Sequence, residues 1–531
     1  MSRPKVLISD SMSSMAQTRF EELGVEVVQS AKLSADELLK TIGDYDGLAV
    51  RSATKVTPEL LKSAKRLKAV GRAGIGVDNI DVQACTSAGI LVMNTPFGNA
   101  MTTAEHAMAM MLSLARHIPQ ANASTQGGKW EKSRFMGIEL TGKTLGIIGS
   151  GNIGSIVASK ALGYGLKVQA YDPFLTESKA DSMGIQKVEL EQLLSSSDIV
   201  SLHVPKTPDT SNIISADAIN KMRKGAMLIN CARGGLVDEL ALRAALESGH
   251  LRGAALDVYE QEPATDNPLF GLDNIICTPH LGASTIEAQE KVAVQVAEQM
   301  AEFLVNGAVK NALNAPNLTA EEARKLKPYL QLSQRLGSFV GQLTNDPIKS
   351  ITVTYGGDAA KVNTDPLTTH VVQSVLEQHS TSINAVNALE VARERSINVT
   401  NALSQGKDEY QFRITVEVES ESTNHFVAGT LISNRPRVID VRGIALESRL
   451  GPHMLYVTNK DTPGVVGSIG TMAGSQGINI ANLHLGRRAQ GQDALALLEV
   501  DGPVTGPQLD AMLQLPGITD LRYLHFPELG A

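Results

Sequence analysis

The sequence predicts an α/β protein in which one parallel strand-and-helix unit is inserted into another, followed by an α+β domain and a terminal βαββαβ plait. Three observations carry this prediction. Short apolar runs alternate with helix-like segments from Pro4 and start again at Lys143. A GxGxxG stretch opens the second series in mid-chain. The last part of the chain switches to period-2 alternation. At 531 residues the chain is too long for one core, since domains run to about 100–200 residues each.

In order, "PKVLISD" (Pro4 to Asp10) reads as a buried strand ending in a polar loop. "FEELGVEVVQS", "DGLAVRSAT", "LKAVGRAGIGVDNID" and "GILVMNT" continue the alternation. "TTAEHAMAMMLSLARHIPQA" follows, with Thr102 and Glu105 at capping-box spacing and Met108, Met111, Leu112 and Ala115 on one stripe. It predicts a long packed helix linking two lobes. From Lys143 the apolar runs "TLGIIG", "KVQAYD", "DIVSLHVP", "AMLINCA", "GAALDVY" and "NIICTPH" match the strands of one doubly wound sheet. After His280, "STIEAQEKVAVQVAEQMAEFLVNG" is an amphipathic helix whose place is back against the first lobe. The glycine motif therefore sits in mid-chain because its lobe is an insertion.

"NALNAPNLT" (Asn311 to Thr319) marks a linker. Beyond it, "QFRITVEVE" and "NHFVAGTLI" predict an antiparallel sheet, with helical sequence near "NALEVARERS". From His453 the order is strand "HMLYVTN", turn "KDTPG", helix "GVVGSIGTMAGSQ", strand "INIANLHLG", strand "DALALLEVDG", helix "GPQLDAMLQL" and strand "ITDLRYLHF". That is a ferredoxin-like plait.

The net charge of -8 gives no global footprint for nucleic acid. No apolar run reaches spanning length and the N-terminus lacks a signal h-region, so no membrane contact is expected and the expected location is cytoplasmic. Cys85, Cys231 and Cys277 lack CxxC spacing, which predicts buried free thiols and no metal site.

Gly149, Gly151 and Gly154 form the GxGxxG between a strand and a helix. Such a turn brings backbone N–H groups and the positive end of a helix dipole to a pyrophosphate. Asp172, ending the next strand, would accept bonds from ribose hydroxyls and repel a 2′-phosphate, which favours NAD over NADP. Three later stretches stand at the carboxyl ends of predicted strands, where open α/β sheets place ligands. They are "NCARGG", "DVYEQEP" and "TPHLGAS", and they supply Arg233, Glu262 and His280.

With these motifs the chain resembles the D-isomer-specific 2-hydroxyacid dehydrogenases from about residue 4 to 310. The two added C-terminal domains are like those of the long-form branch that acts on 3-phospho-D-glycerate. The resemblance implies a discontinuous flavodoxin-like substrate domain (1–98 and 284–316) with an inserted Rossmann NAD-binding domain (99–283). An intervening α+β domain (317–452) and an ACT regulatory domain (453–531) follow. It implies oxidation of 3-phospho-D-glycerate to 3-phosphohydroxypyruvate, at the entry to L-serine synthesis.

In that reading His280 is the base for the hydroxyl proton, Glu262 orients its ring and favours its protonated form, and Arg233 clamps the substrate carboxylate. Cofactor contacts fall on Asn152 and Ile153 in the glycine turn, Asp172, Val204, the backbone of Cys231, Ala232 and Arg233, Asp257, the His280–Leu281–Gly282–Ala283 stretch, and Ile75 of the first lobe. The distal phosphate falls to Arg51, Ser52, Arg72, Gly74 and Gly76, with Asn99 as a polar contact. The region of Trp130 meets a neighbouring subunit, so a homo-oligomer, dimer or tetramer, is expected. In the plait Asp461 and Asn479 match an amino-acid effector site, with L-serine as the candidate, and Asn459 stands beside them where some members of the family carry an aromatic or imidazole group. Lys361, Arg393 and Arg395 read as solvated surface charge or as cations for an anionic effector. Two rivals stand beside this reading: a dehydrogenase for another D-2-hydroxy acid, and a non-catalytic NAD-sensing interaction protein.

Overall fold

Buried β-branched and aliphatic runs fix the first sheet. β1 (Lys5–Ile8), β2 (Glu26–Gln29), β3 (Gly47–Val50), β4 (Ala69–Arg72) and β5 (Leu91–Met93) pair in parallel in the order β2-β1-β3-β4-β5. That is the flavodoxin-like order. The computed structural model describes residues 3–30, 33–380, 383–404 and 410–526.

The second sheet consists of β6 (Thr144–Ile148), β7 (Lys167–Tyr171), β8 (Gln186–Lys187), β9 (Ile199–Leu202), β10 (Met227–Asn230), β11 (Gly253–Leu256) and β12 (Ile275–Cys277). All its pairings are parallel, in the order β12-β11-β10-β9-β6-β7-β8. All six apolar runs read from the sequence are strands here. Two-residue β8 on the edge was not anticipated, since it is too short to carry a period. The order reverses between β6 and β9, and at such a switch point the loops diverge and leave a crevice.

The return helix Ile286–Asn306 is capped by Thr285 and ended by Gly307 in the left-handed region (φ 73). Val292, Val296 and Met300 bury it against the first sheet. A Cβ on Gly71 would lie 2.3 Å from Met300 Sδ, so the helix rides directly on the backbone of β4. The predicted return to the first lobe is thereby observed.

The crossing helix Ala100–Ala115 corrects one local expectation. Asn99 occupies its N-cap without a side-chain cap bond, and Thr102 already lies in the first turn, so Thr102 and Glu105 form no capping box. Thr102 Oγ1 instead lies 3.5 Å from Thr285 Oγ1 of the second crossing segment, and Glu105 pairs with Lys160 at 3.2 Å. The stripe Met108, Met111 and Ala115 is buried as predicted, while Leu112 packs only partly.

A six-stranded sheet follows: β13 (Ile348–Gly357), β14 (Asn398–Leu403), β15 (Phe412–Ser420), β16 (Asn424–Ile432), β17 (Arg435–Val441) and β18 (Ile444–Ser448). It runs β14-β13-β15-β16-β17-β18, antiparallel apart from β13 with β14. Helices Ala320–Leu343 and Asp365–Leu376 were not anticipated. The first contains Pro328, which reads in sequence as a helix breaker, yet a full capping box of Thr319 and Glu322 starts the helix. The helix near "NALEVARERS" is observed at Ala388–Glu394.

β19 (His453–Lys460), β20 (Ile480–Arg487), β21 (Asp493–Val500) and β22 (Ile518–His525) form the last sheet, antiparallel in the order β20-β21-β19-β22. With helices Val465–Ser475 and Gly506–Leu513 this is the predicted plait. It shares a core with the preceding unit: Phe339 packs edge-on to Tyr456 and stacks on Phe526. Gln83 Nε2 to Glu390 Oε1 (2.8 Å) and Asn384 Nδ2 to the Gly89 carbonyl (2.8 Å) tie that preceding unit to the first lobe.

Helices Ala320–Leu343 and Asp365–Leu376 cross closely at two glycines. A Cβ on Gly337 would lie 2.5 Å from the Val371 carbonyl, and one on Gly341 2.8 Å from that of Val375. Both obstacles are backbone, so neither can swing away. Gly337→Ala is expected to destabilise the C-terminal half by about 1–3 kcal/mol, read as a lowered thermal transition, with kcat unchanged.

Candidate active site

Each predicted cofactor and catalytic residue of the second lobe follows a strand at the carboxyl edge of its sheet. After β6 the three glycines serve three different physical needs. Gly149 adopts φ 91, and a Cβ there would strike Val204 Cγ1 at 2.6 Å. Gly151, the N-cap of helix Asn152–Gly163, has nothing within 4 Å of its Cβ position, so a ligand can approach its backbone. At Gly154 a Cβ would lie 2.0 Å from the Gly149 carbonyl, which allows the helix to sit on the turn. With no side-chain cap at Gly151, the first-turn N–H groups are open to a pyrophosphate, and the site fits a dinucleotide.

Asp172 has a structural task as well. Its Oδ2 accepts from the Ser150 N–H (2.8 Å) and hydroxyl (2.9 Å), and its Oδ1 accepts from the Phe174 N–H (2.9 Å). The carboxylate thus bolts the glycine turn to the end of β7, and its remaining lone pairs can accept ribose hydroxyls. Asn152 Nδ2 reaches the Pro96 carbonyl at 3.5 Å, and Ile75, half-buried, receives Asn94 Nδ2 on its carbonyl at 2.5 Å. Cys231 is buried and its thiol pKa is pushed up by burial, so at this turn the backbone is the useful contact.

After β12, His280 Nδ1 meets Glu262 Oε2 at 2.7 Å. Glu262 Oε1 also accepts from the Tyr259 N–H at 3.0 Å. Burial pushes the Glu262 carboxyl up, but the bonds to His280 and Tyr259 outweigh it and hold it below the usual carboxylate range. The same bond to Glu262 raises His280 above an ordinary imidazole, against burial and the Arg233 charge. His280 takes φ 56, in the left-handed region that non-glycine residues seldom adopt. The turn is braced by Asp257, whose side chain is 0 % exposed. It accepts Thr278 Oγ1 (2.6 Å) and the Leu281 N–H (2.7 Å) on Oδ1, and the Gly282 N–H (2.7 Å) on Oδ2. Asp257 thus supports the His280–Ala283 stretch from behind.

Arg233 reaches across to the first lobe. Its Nε donates to Asp78 Oδ2 at 3.1 Å, and a Cβ on Gly76 would overlap its Nη2 at 1.7 Å. Arg72 lies against Gly74 (φ 155) and donates from Nε to the Arg51 carbonyl at 3.3 Å. Burial, then the charges of Arg233 and Arg51, lower the Arg72 pKa to about 10. Three guanidinium groups therefore converge in the cleft between the lobes, a setting for a doubly anionic molecule. Ser52 is exposed beside them, and Asp10 fixes their loop by accepting the Arg51 N–H at 2.6 Å and Thr54 Oγ1 at 2.6 Å. Asn99 Oδ1, at the start of the crossing helix, is buried without a partner.

Sequence reasoning missed the residues that hold these groups in place. Asn230 accepts the Ala232 N–H and donates to the Arg233 carbonyl, shaping the arginine turn. Glu239 accepts the Glu260 N–H and Asn267 Nδ2, shaping the loop of Glu262. Gly234 passes so close to the Tyr259 carbonyl that a Cβ would lie 1.7 Å from it. A polar residue ending a strand was the available signal for Asn230, whose partners follow it directly. The partners of Glu239 and Gly234 are distant in sequence and become visible only in the fold.

The predicted effector residues do not meet within one chain. Asp461 accepts from Arg487 Nη1 (2.9 Å) and the Gly491 N–H (3.1 Å), beside buried Asn459, whose Oδ1 has no partner. Asn479 donates to Asp501 Oδ2 at 2.6 Å. Register pairs Lys460 with Asp493 and Ile480 with Val500, so Asn479 lies at the opposite end of the sheet. Lys361 pairs with Asp358 and Arg393 with Glu390, while Arg395 has its N–H bonded to the Val391 carbonyl. Trp130 is 87 % exposed. Of the three cysteines, Cys85 and Cys231 are buried and Cys277 is partly covered. Among the described residues no helix is long and apolar enough to cross a membrane.

Residues 108–282 match the NAD-binding domain of D-isomer-specific 2-hydroxyacid dehydrogenases, and residues 325–442 the intervening domain of D-3-phosphoglycerate dehydrogenase. The chain is 42% identical to the D-3-phosphoglycerate dehydrogenase of Synechocystis sp. over 519 residues, 97% of this chain and 94% of that one. It is 40% identical to that of Bacillus subtilis over 526 residues, 98% and 100% of the two chains. Among solved structures it resembles a glyoxylate reductase from Paecilomyes thermophila, with TM-score 0.55 and 29% identity over 59% of this chain and 99% of that one.

An acceptor of protons at His280 must be neutral, and Glu262 raises the pH at which it becomes so. Glu262→Gln is expected to move the acid limb of kcat/KM for alcohol oxidation to lower pH and to cut kcat by about 10²-fold. A pH series with the purified variant reads both effects.

Proposed function

This chain belongs to the D-3-phosphoglycerate dehydrogenases, and from that premise we propose how its cleft divides the work. The enzyme is an NAD-dependent oxidoreductase that oxidises 3-phospho-D-glycerate to the corresponding 2-keto acid. NAD supplies the acceptor for the hydride that leaves C2. His280 takes the hydroxyl proton on Nε2, since its Nδ1 is engaged with Glu262. As the proton arrives, the Glu262 carboxylate stabilises the imidazolium and keeps the ring oriented. Arg233 holds the substrate carboxylate and the oxygen that becomes the carbonyl. The observation that carries this assignment is the 2.7 Å His280–Glu262 pair facing Arg233 at the sheet edge that also bears the glycine turn.

Arg51 and Arg72 take the 3-phosphate in this reading, with Ser52, Gly74, Gly76 and Asn99 beside them. A dianion suits a pocket in which half-buried Arg72 feels the charges of Arg233 and Arg51. Initial rates with 2-hydroxy acids that carry or lack the 3-phosphate are expected to favour 3-phospho-D-glycerate strongly. Arg72→Ala is expected to raise KM for the phosphorylated acid by about tenfold or more and to leave the weak reaction of unphosphorylated acids nearly unchanged. Equal losses on both acids would remove the phosphate from that pocket.

We infer further that the reaction opens L-serine synthesis, that the enzyme works in the cytoplasm as a homo-oligomer, and that the plait binds L-serine as a feedback effector. Exposed Trp130 and Met136 support a subunit contact. The distance between Asp461 and Asn479 along the sheet means that a site using both needs a second chain. Added L-serine is expected to lower the rate at saturating substrate in a dose-dependent manner; a flat titration would remove the effector reading and leave the catalytic one intact.

A further inference from the structure

The buried carboxylate of Asp257 has a fourth partner that the catalytic reading does not use. His106, on the crossing helix, places Nε2 3.3 Å from Asp257 Oδ1 and 3.3 Å from Thr278 Oγ1. The Thr278 hydroxyl hydrogen is committed to Asp257 at 2.6 Å, and a carboxylate only accepts. Nε2 therefore carries the hydrogen and faces both oxygens. His106 lies one helical turn after Thr103, whose Cγ2 would be 3.4 Å from a Cβ on Gly282. One face of the crossing helix thus backs the whole 278–282 turn.

That turn needs support. It holds His280 at φ 56, and what stabilises this conformation is the pair of charge-assisted bonds from the Leu281 and Gly282 N–H groups to Asp257. Those bonds require an ionised carboxylate in a wholly buried place, where a charge persists only if it is well partnered. Burial pushes the Asp257 carboxyl up, and the bond from His106 stands first among the contacts that bring it below its usual range. The helix that carries His106 begins at Asn99, where the chain passes between the lobes, and Thr102 there faces Thr285 of the other crossing segment.

We propose that His106 is a positioning residue for hydride transfer: through Asp257 and Thr278 it fixes the turn that presents His280 to the cleft. It ties the orientation of the base to the segment where the lobes join. The inference rests on the base role given to His280 above.

The groups that set the His280 titration are Glu262, Asp257 and Arg233. Loss of the His106 donor leaves the buried Asp257 charge less well supported, and with less negative charge beside it His280 gives up its proton more readily, so the acid limb of kcat/KM moves down. His106→Leu removes the donor, His106→Asn keeps polarity but is too short to replace Nε2, and His106→Gln can put an N–H near the same point. The first two are expected to lose about tenfold or more in kcat while KM for 3-phospho-D-glycerate stays within about twofold. Their acid limb should fall by about half a pH unit. His106→Gln should retain most of the wild-type rate. The proposal is overturned if His106→Leu and His106→Asn keep kcat and the acid limb of the wild type, or if His106→Gln falls as far as His106→Leu. His280→Gln in the same assay separates the two layers: its lack of turnover keeps the base role, so that any failure belongs to His106, whereas its retained turnover removes both readings.

Discussion

A single buried negative charge organises the catalytic edge of this protein. Asp257 stands at the end of β11, out of contact with solvent, and its oxygens gather the Thr278 hydroxyl, two consecutive backbone N–H groups and His106. Ionised carboxylates are costly to bury, so the fold surrounds this one with donors, and each donor is a point on the segment that must be held still. The cost of burying a charge is converted into the rigidity of a turn, and His280 is carried by that turn.

The same device recurs on a smaller scale around the cleft. Asp172 bolts the glycine turn to β7, Asp10 fixes the loop of Arg51, Glu239 fixes the loop of Glu262, and Asn230 shapes the turn of Arg233. In each case a polar side chain, at or just after the end of a strand or, for Glu239, at the start of a helix, accepts backbone N–H bonds from a loop lacking regular structure. Loops positioned by a sheet edge carry the chemistry, and the sheet edge positions them through hydrogen bonds rather than apolar packing.

Electrostatics divides the cleft into two halves. The side facing the first lobe gathers Arg51, Arg72 and Arg233, strongly enough that burial and mutual repulsion lower Arg72 to about 10. The opposite side pairs His280 with Glu262, which raises the affinity of the imidazole for a proton. One half suits an anion and the other suits a proton acceptor whose protonated form is stabilised in advance. The half that suits an anion draws Arg51 and Arg72 from the first lobe, and Arg233 of the second lobe joins it to the other half through Asp78 and the close approach at Gly76.

Much of this was legible in the sequence because it is written in short-range patterns. Apolar runs gave all the strands of the two parallel sheets except two-residue β8, and the three glycines identified their turn because each spacing answers a local steric need. Arg233, Glu262 and His280 could be picked out since they follow predicted strands. The helix Ala320–Leu343 escaped notice because Pro328 breaks a sequence pattern that tertiary packing tolerates, and the capping box at Thr102 failed because the helix begins two residues earlier. What the tertiary structure alone decided were the long-range partners: His106 with Asp257, Glu239 with Glu260, Asp78 with Arg233, and the separation of Asp461 from Asn479. Periodicity and motif spacing report how a segment meets its neighbours along the chain. Which donor meets which buried acceptor depends on sheet order and lobe packing, and those arise only when distant segments come together.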